Sequence, residues 1–596
     1  MSLTPKGMSV QEAYRLYREG NLIVNRKYQR KLVWTTDEKE KLIDSIMSGY
    51  PIPLILLAER PDVHGYGTYE ILDGVQRLTA MFDFIENRIS WNNKFFDTEE
   101  FTRAKTLVKK GVITAIDREN TSFLDAEMCA KLLDYQLAVT IYPAMKENDM
   151  IDVFGRINSQ GRQLSFQERR QAGVINEFSE LVRKISFEIR GDVSQNLLKL
   201  YEMPGISIDD YRSDMNYSIK ADDIFWCKTG ILGKNELRNG EDEEMLADIL
   251  ASIILEEPFP KSRDTLDELY DENSDLHIRV MRAMNTNEDE KLYENVIYTI
   301  SVLREVIETV DDSVNGFRKI ISRQHRNPVK YPFYALFMAF YSLLVEEGMS
   351  PEDYKGIMKS IENLQNKLTR SAKYAKVDDR IQNIDITKGL IRRHFVKREP
   401  ASLSHGPGLA LDFENSIRRS KIETPRYEFK QGILRLSNTP KIDTELIDRI
   451  LETSTAIANT NQGEDGFIYI GIADEYKDAE RIKSLYEVEY TEKFGKYIVG
   501  IDREVSYLEW DLDRYMKVFI ENIRKSEIEE PLKSQLLSQI DVVSYKGYSI
   551  IRIRIPKQDK LTFIKDKVFI RHNNDTMQVK DVKEILALSQ SFNKGN

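Results

Sequence analysis

Apolar residues recur along the chain in more than one rhythm, and the change of rhythm divides it. Between residues 1 and 175 short apolar runs alternate with helical spacing. That spacing predicts a helix from Ser9 to Gly20, ended by glycine, and an extended basic stretch over 21–34. A helix follows over 35–50, capped by Thr or Asp and stopped by Gly49. Residues 51–59 read as a buried strand bounded by prolines. Residues 68–85 read as a strand, a tight Asp-Gly turn and a helix. A shorter helical insert, a strand over 135–143 and a helix from Asn148 to Ile157 complete this part. From about 176 to 395 the pattern is almost purely helical, as in 297–310 and 331–348, where apolar residues fall three and four apart. A stretch rich in Pro, Gly and Ser interrupts it. Alternation then returns, with helices over 413–424, 442–460 and 579–590 and strands over 426–433, 466–474, 547–557 and 567–573.

The resulting plan is an α+β multidomain protein: an α/β N-terminal domain over 1–175, an all-α middle region over 176–397, a linker over 398–412 and an α+β C-terminal domain over 413–596. The sequence has no repeat of 20–50 residues.

Composition narrows the function. Hydrophobic residues make up 41% and charged residues 31% of 596, an ordinary globular balance with 29 Tyr and 25 Phe to build cores. The formal net charge of −11 excludes a general polyanion binder, so any nucleic-acid surface must be a local basic patch or a metal-bridged site. Two cysteines, Cys129 and Cys227, cannot make a disulfide framework or a cysteine-based zinc site. The start of the chain has no signal-peptide core, and no apolar run is long enough to span a bilayer. A cytoplasmic protein without a membrane partner is expected.

Three N-terminal pieces stand out. They are Tyr28-Gln29-Arg30 with Trp34, then Asp73-Gly74-Val75-Gln76-Arg77, then the run from Asn158 to Glu168. The second places a glycine turn at the start of a helix, where free N–H groups and the dipole favour an anion such as phosphate. Arg77 adds a bidentate donor. Asp73 fits a helix cap, a metal ligand or a ribose ligand equally well, and a cap with a surface ion pair is the plainer reading. Taken in order, the pieces resemble the ParB-like N-terminal family of GmrSD-type restriction proteins over about residues 10–175. The matching positions are Tyr28, Gln29, Arg30, Trp34, Asp73, Gly74, Gln76, Arg77, Phe154, Arg156, Ile157, Asn158, Gly161 and Leu164. The resemblance implies a ParB-like fold that binds, and often hydrolyses, a nucleoside triphosphate (ATP, GTP or CTP). It implies a nucleotide site of Arg30, Asp73, Gly74, Gln76, Arg77, Arg156 and Asn158, with Gln76 and Arg77 on the phosphates. Val75 stands where the family carries a glutamine.

The C-terminal constellation is Glu423, Glu428, Lys430, the Ala458-Asn459-Thr460 helix end, Gly463, Gly466 and Asp474. Carboxylates at element ends and on adjacent strands can converge, and three of them repel unless a divalent cation neutralises them. Such a hard oxygen set suits Mg²⁺ or Mn²⁺, which can activate water for phosphodiester cleavage. Lys430 would then balance the scissile phosphate. Without that convergence, Glu428 and Lys430 are a solvated same-face pair and Asp474 a turn residue. The ordered pattern resembles the Schlafen AlbA-type domain, also described as a divergent AAA domain, over about 415–590. The resemblance puts Glu423, Glu428 and Asp474 on the three acidic positions of active Schlafen nucleases. Glu464-Asp465 splits the usual glycine pair of the following loop. Arg418, Arg419, Arg426 and Arg571 are candidates for a phosphate-tracking groove. Arg552 and Arg554 share a strand face and read as solvated, and so does the cluster of Arg392, Arg393, His394, Lys397 and Arg398.

Together these resemblances imply a nucleotide-regulated, metal-dependent endonuclease of a bacterial anti-phage type. Its substrate would be tRNA-like RNA or phage DNA, and a homodimer would complete its groove. The competing expectation is a non-catalytic, nucleotide-dependent sensor that only binds nucleic acid.

Overall fold

The computed structural model describes residues 5–26, 32–60, 67–143, 153, 165–171, 176–192, 197–203, 205–207, 218–284, 289–323, 327–369, 376–397, 408–421, 424–460, 464–572 and 574–592. They form two compact units, one ending at Pro400 and one beginning at Ala401.

The first unit is built on a mixed six-stranded sheet. Its order is Lys6–Ser9, Gln136–Tyr142, Ile55–Glu59, Tyr69–Asp73, Leu22–Asn25 and Leu197–Lys199. Local chemistry sets the helix starts. The Ser9 hydroxyl accepts from Glu12 N–H at 3.1 Å and begins the helix Val10–Arg18. Thr35 and Glu38 make a reciprocal capping box before Thr36–Met47, a contact worth about 1 kcal/mol. The helix Val75–Ile85 is buried at every position but Thr79. Tyr14, Tyr17, Phe82 and Phe84 fill the core between these helices and the sheet.

The middle of the chain is helical but not purely so. Leu197–Lys199 pairs with Leu22–Asn25 and extends the N-terminal sheet. Gly205–Ser207 pairs with Ser218–Lys220, and Met349–Pro351 pairs with Phe395–Lys397. Each of these strands that falls in the middle region has three residues, too few for an alternating pattern to register in sequence. The basic cluster at 392–398 is a solvated helix end at Arg392, Arg393 and Lys397, which are exposed, whereas His394 is half-buried. His394 lies between the Ser360 hydroxyl at 2.9 Å and the Asp353 carboxylate at 3.0 Å, and Arg392 pairs with Glu347 at 2.6 Å.

The second unit centres on a four-stranded sheet ordered Tyr427–Lys430, Gly466–Ile470, Tyr548–Ile555, Ile540–Tyr545. Tyr427–Lys430 is the edge strand and runs parallel to Gly466–Ile470. Alternation sends Tyr427 and Phe429 to one face, where they pack with Phe413 and Ile417 of the helix Gly408–Arg419. Ile468, Ile470, Ile551 and Ile553 face the other way, against the helix Thr444–Thr460. A hairpin, Val568–His572 with Asp575–Val579, packs on that same helix. Arg552 corrects the solvated expectation. It is buried and paired with Asp412 at 2.9 Å and Asp541 at 3.1 Å, because the fold brings both carboxylates to its strand.

Candidate functional site

At the N-terminal turn, Gly74 has φ +106°, and a Cβ there would sit 2.4 Å from Ile55 Cδ1. Only glycine accepts both the conformation and the contact. Asp73 makes no cap. Its carboxylate instead accepts from the Arg77 guanidinium at 2.6 Å, and Arg77 also donates to Leu54 O at 3.1 Å. The Gln76 side-chain oxygen accepts from Val33 N–H at 3.1 Å and Trp34 N–H at 3.3 Å. Gln76 therefore fastens the segment that follows the YQR motif to the start of the helix. Gln76 and Arg77 are both buried. Tyr28, Gln29 and Arg30, and Phe154, Arg156, Ile157, Asn158, Gly161 and Leu164, lie outside the described residues.

At the C-terminal site, Glu428 and Lys430 project from the same side of the edge strand and form an ion pair. The other Glu428 oxygen accepts from Arg571 at 2.8 Å. The Arg571 side chain is buried and also donates to Tyr427 O at 3.3 Å and the Thr576 hydroxyl at 3.2 Å. Its backbone N–H is held by the Thr460 hydroxyl at 2.8 Å. One carboxylate thus lies between two cations at the open edge of a sheet.

The Ala458-Asn459-Thr460 helix end explains how Arg571 reaches Glu428. The Asn459 side chain donates to Thr562 O at 2.9 Å and Phe569 O at 3.0 Å and accepts from Thr562 N–H at 2.8 Å. It is 1% exposed, so these bonds are made out of reach of water. Asn459→Ala is expected to lower the stability of the second unit by about 2 kcal/mol, measured by urea unfolding. Unchanged stability would remove Asn459 as the anchor of the Arg571 strand.

Glu504 anchors the far end of the edge strand, and sequence reading missed it. Its buried carboxylate accepts from Ile433 N–H at 2.8 Å, Leu434 N–H at 3.1 Å and the Tyr515 hydroxyl at 2.5 Å. Burial and the Glu504 charge hold the Tyr515 hydroxyl well above its ordinary pKa. No local pattern marks a glutamate more than seventy residues downstream as the partner of this turn.

Asp474 is placed differently from Glu428. It pairs with Lys496, whose ammonium lies 4.9 Å from the centre of the Phe429 ring. Phe429 points away from Glu428 along the strand, so the Asp474 pair lies on the opposite face. Among the described residues no group of three or more His, Cys, Asp or Glu side chains is gathered to hold a metal ion. Glu423, the third expected member, lies outside the described residues, as does Gly463. Glu428 and Asp474 still offer the hard oxygens a divalent cation prefers. Metal entry at Glu428 would replace a side-chain cation as its counter-charge.

The four arginines expected to line a groove are all buried. Arg426 donates to Asp465 O at 2.9 Å and 2.7 Å and pairs with Glu464. Arg418 lies over the Phe494 ring at 4.4 Å, Arg419 is 6% exposed, and Arg571 is engaged as above. The two acids that split the glycine pair are therefore structural. Glu464 is bonded by Arg426, and the Asp465 carboxylate by Arg554 at 2.6 Å.

Residues 10–175 match the family of the GmrSD restriction endonuclease N-terminal domain, and residues 423–580 match the Schlafen, AlbA_2 family. The chain is thus similar to one family toward its N-terminal end and to the other toward its C-terminal end. No curated protein and no solved structure matches it. The Glu428–Arg571 site lies inside the Schlafen AlbA_2 match, and the Gly74 turn lies inside the GmrSD N-terminal match. Both families point to a nuclease or a defence-related protein that acts on nucleic acid. No helix among the described residues is long and apolar enough to cross a membrane.

Proposed function

We propose that the chain is a nucleotide-regulated, metal-dependent endonuclease of an anti-phage restriction type, whose cleaving site is centred on Glu428. The observation that carries the reading is this carboxylate, held between Lys430 and Arg571 at an open sheet edge of the Schlafen AlbA_2 domain. Arg571 fixes the carboxylate in place. Lys430, 31% exposed at its side chain, would leave its ion pair with Glu428 to meet a scissile phosphate. A Mg²⁺ or Mn²⁺ held at Glu428, with Glu423, would supply Lewis-acid activation of water and of the leaving oxygen, and Asp474, paired with Lys496 on the opposite face, would not share it. The substrate is tRNA-like RNA or phage DNA, and a second copy of the chain would complete the groove. The N-terminal domain binds ATP, GTP or CTP at the Gly74 turn and sets the activity of the nuclease.

A second reading keeps the fold but removes the cleavage. The cations on Glu428 and the opposite placement of Asp474 favour a domain that binds nucleic acid as a nucleotide-dependent sensor. Incubation of labelled tRNA and of plain and modified DNA with Mg²⁺ or Mn²⁺, with and without each nucleoside triphosphate, separates the two. Metal-dependent product supports the nuclease. Retention in a gel shift without product under any condition supports the sensor.

A further inference from the structure

Three helices of the first unit enclose a cleft that neither family match accounts for. Its walls come from Glu241–Ile254, from Lys330–Tyr341 with the turn Ser342–Glu346, and from Val377–Ile391. Its volume is 740 Å³, within the range of small-molecule sites. The floor is apolar and incompletely covered. Ile253, Met338, Val345 and Ile384 are half-buried, and Ile381 is 42% exposed. Apolar side chains so exposed are common singly, but here they converge on one concavity.

The wall beside Val345 is a π-helical turn, Ser342–Glu346, which adds a residue to its helix and turns Ser342 and Glu346 into the cleft. Such turns are concentrated at functional sites. The Ser342 hydroxyl bonds the Glu346 carboxylate at 2.5 Å and accepts from the Lys388 ammonium at 2.8 Å. Lys388 is the one cation on the lining, and Glu347 also takes it at 2.8 Å. Four carboxylates face the same space: Glu256, Glu257, Glu346 and Asp385. Arg279 pairs with Glu257 at 3.0 Å. Glu256 and Asp385 are exposed and have no partner among the described residues.

We infer that this cleft is a binding site for a small organic cation, an apolar body carrying a primary ammonium group. The exposed apolar floor takes the body. Asp385 and Glu256 take the charge that the lining itself leaves unbalanced. The same charges exclude nucleotides and other phosphates, which sets the site apart from the nuclease reading and from the Gly74 turn.

The test titrates the full chain with 4-phenylbutylamine, using 4-phenylbutanol and 4-phenylbutyrate as matched neutral and anionic probes, read by isothermal calorimetry and saturation-transfer NMR. The amine is expected to bind saturably at one site per chain, and more weakly as salt is raised. The alcohol is expected to bind at least about tenfold more weakly, and the carboxylate not at all. Asp385→Lys is expected to weaken the amine about tenfold, and Val345→Trp, which fills the cleft from a half-buried position, to abolish binding. Thermal unfolding confirms that both variants are folded. No amine binding, equal binding of the alcohol, or binding unchanged in both variants would overturn the assignment.

Discussion

Replacing Glu428 by glutamine is expected to reduce nucleic-acid cleavage at least about a hundredfold, a loss of roughly 2.7 kcal/mol of transition-state stabilisation. Glutamine removes the charge but keeps an oxygen for the buried Arg571 guanidinium, so the unit stays folded and loses less stability than with alanine. Alanine behaves differently. It leaves Arg571, 2% exposed at its side chain, without its carboxylate, and a buried charge stripped of its partner costs about 3–5 kcal/mol. Both variants should therefore lose activity, and Glu428→Ala should lose clearly more stability than Glu428→Gln. Parallel cleavage assays and melting curves on the two variants check this split. Full activity in Glu428→Gln would place the reaction elsewhere.

Gly74→Ala is expected to destabilise the first unit by about 3 kcal/mol, from two separate causes. A left-handed backbone costs a residue with a Cβ about 1–2 kcal/mol. The new Cβ also meets Ile55 Cδ1 at 2.4 Å, and overpacking of this kind costs about 1–3 kcal/mol. Ile55→Val removes that Cδ1, so the double variant Ile55→Val/Gly74→Ala should recover the steric part and keep the backbone part. Chemical unfolding of the four proteins measures both. The same substitution should weaken protection by nucleoside triphosphate, because the turn that presents the helix start is displaced. Wild-type stability in Gly74→Ala would show that the turn is not fixed by this contact.

What the sequence made legible was local. The Asp-Gly turn before a helix is written in adjacent residues, and Gly74 adopts the positive φ it implies. Strand alternation put Glu428 and Lys430 on one face, and the fold keeps them paired. The order of motifs was enough to recognise both domain families. Partners that depend on distant strands were not legible. Arg571 read as a phosphate contact until the hairpin laid it on Glu428. Arg552 read as solvated until Asp412 and Asp541 enclosed it. Asp474 read as a companion of Glu428, and its pairing with Lys496 depends on how the strand Lys496–Ile498 packs, which no local pattern encodes. In the N-terminal turn, the side chains expected on a phosphate are bonded within the fold, Gln76 to the segment before Thr36–Met47 and Arg77 to Asp73 and Leu54.

The central claim is that one chain carries a Glu428-centred nuclease under control of its N-terminal nucleotide domain. Single-turnover cleavage of end-labelled tRNA and modified DNA in Mg²⁺, with and without nucleoside triphosphate, tests it most directly when Glu428→Gln is run beside the wild type. The wild type is expected to give product at a rate that changes with nucleotide, and the variant none. Equal product from both proteins, or a wild-type rate indifferent to every nucleotide, would contradict it.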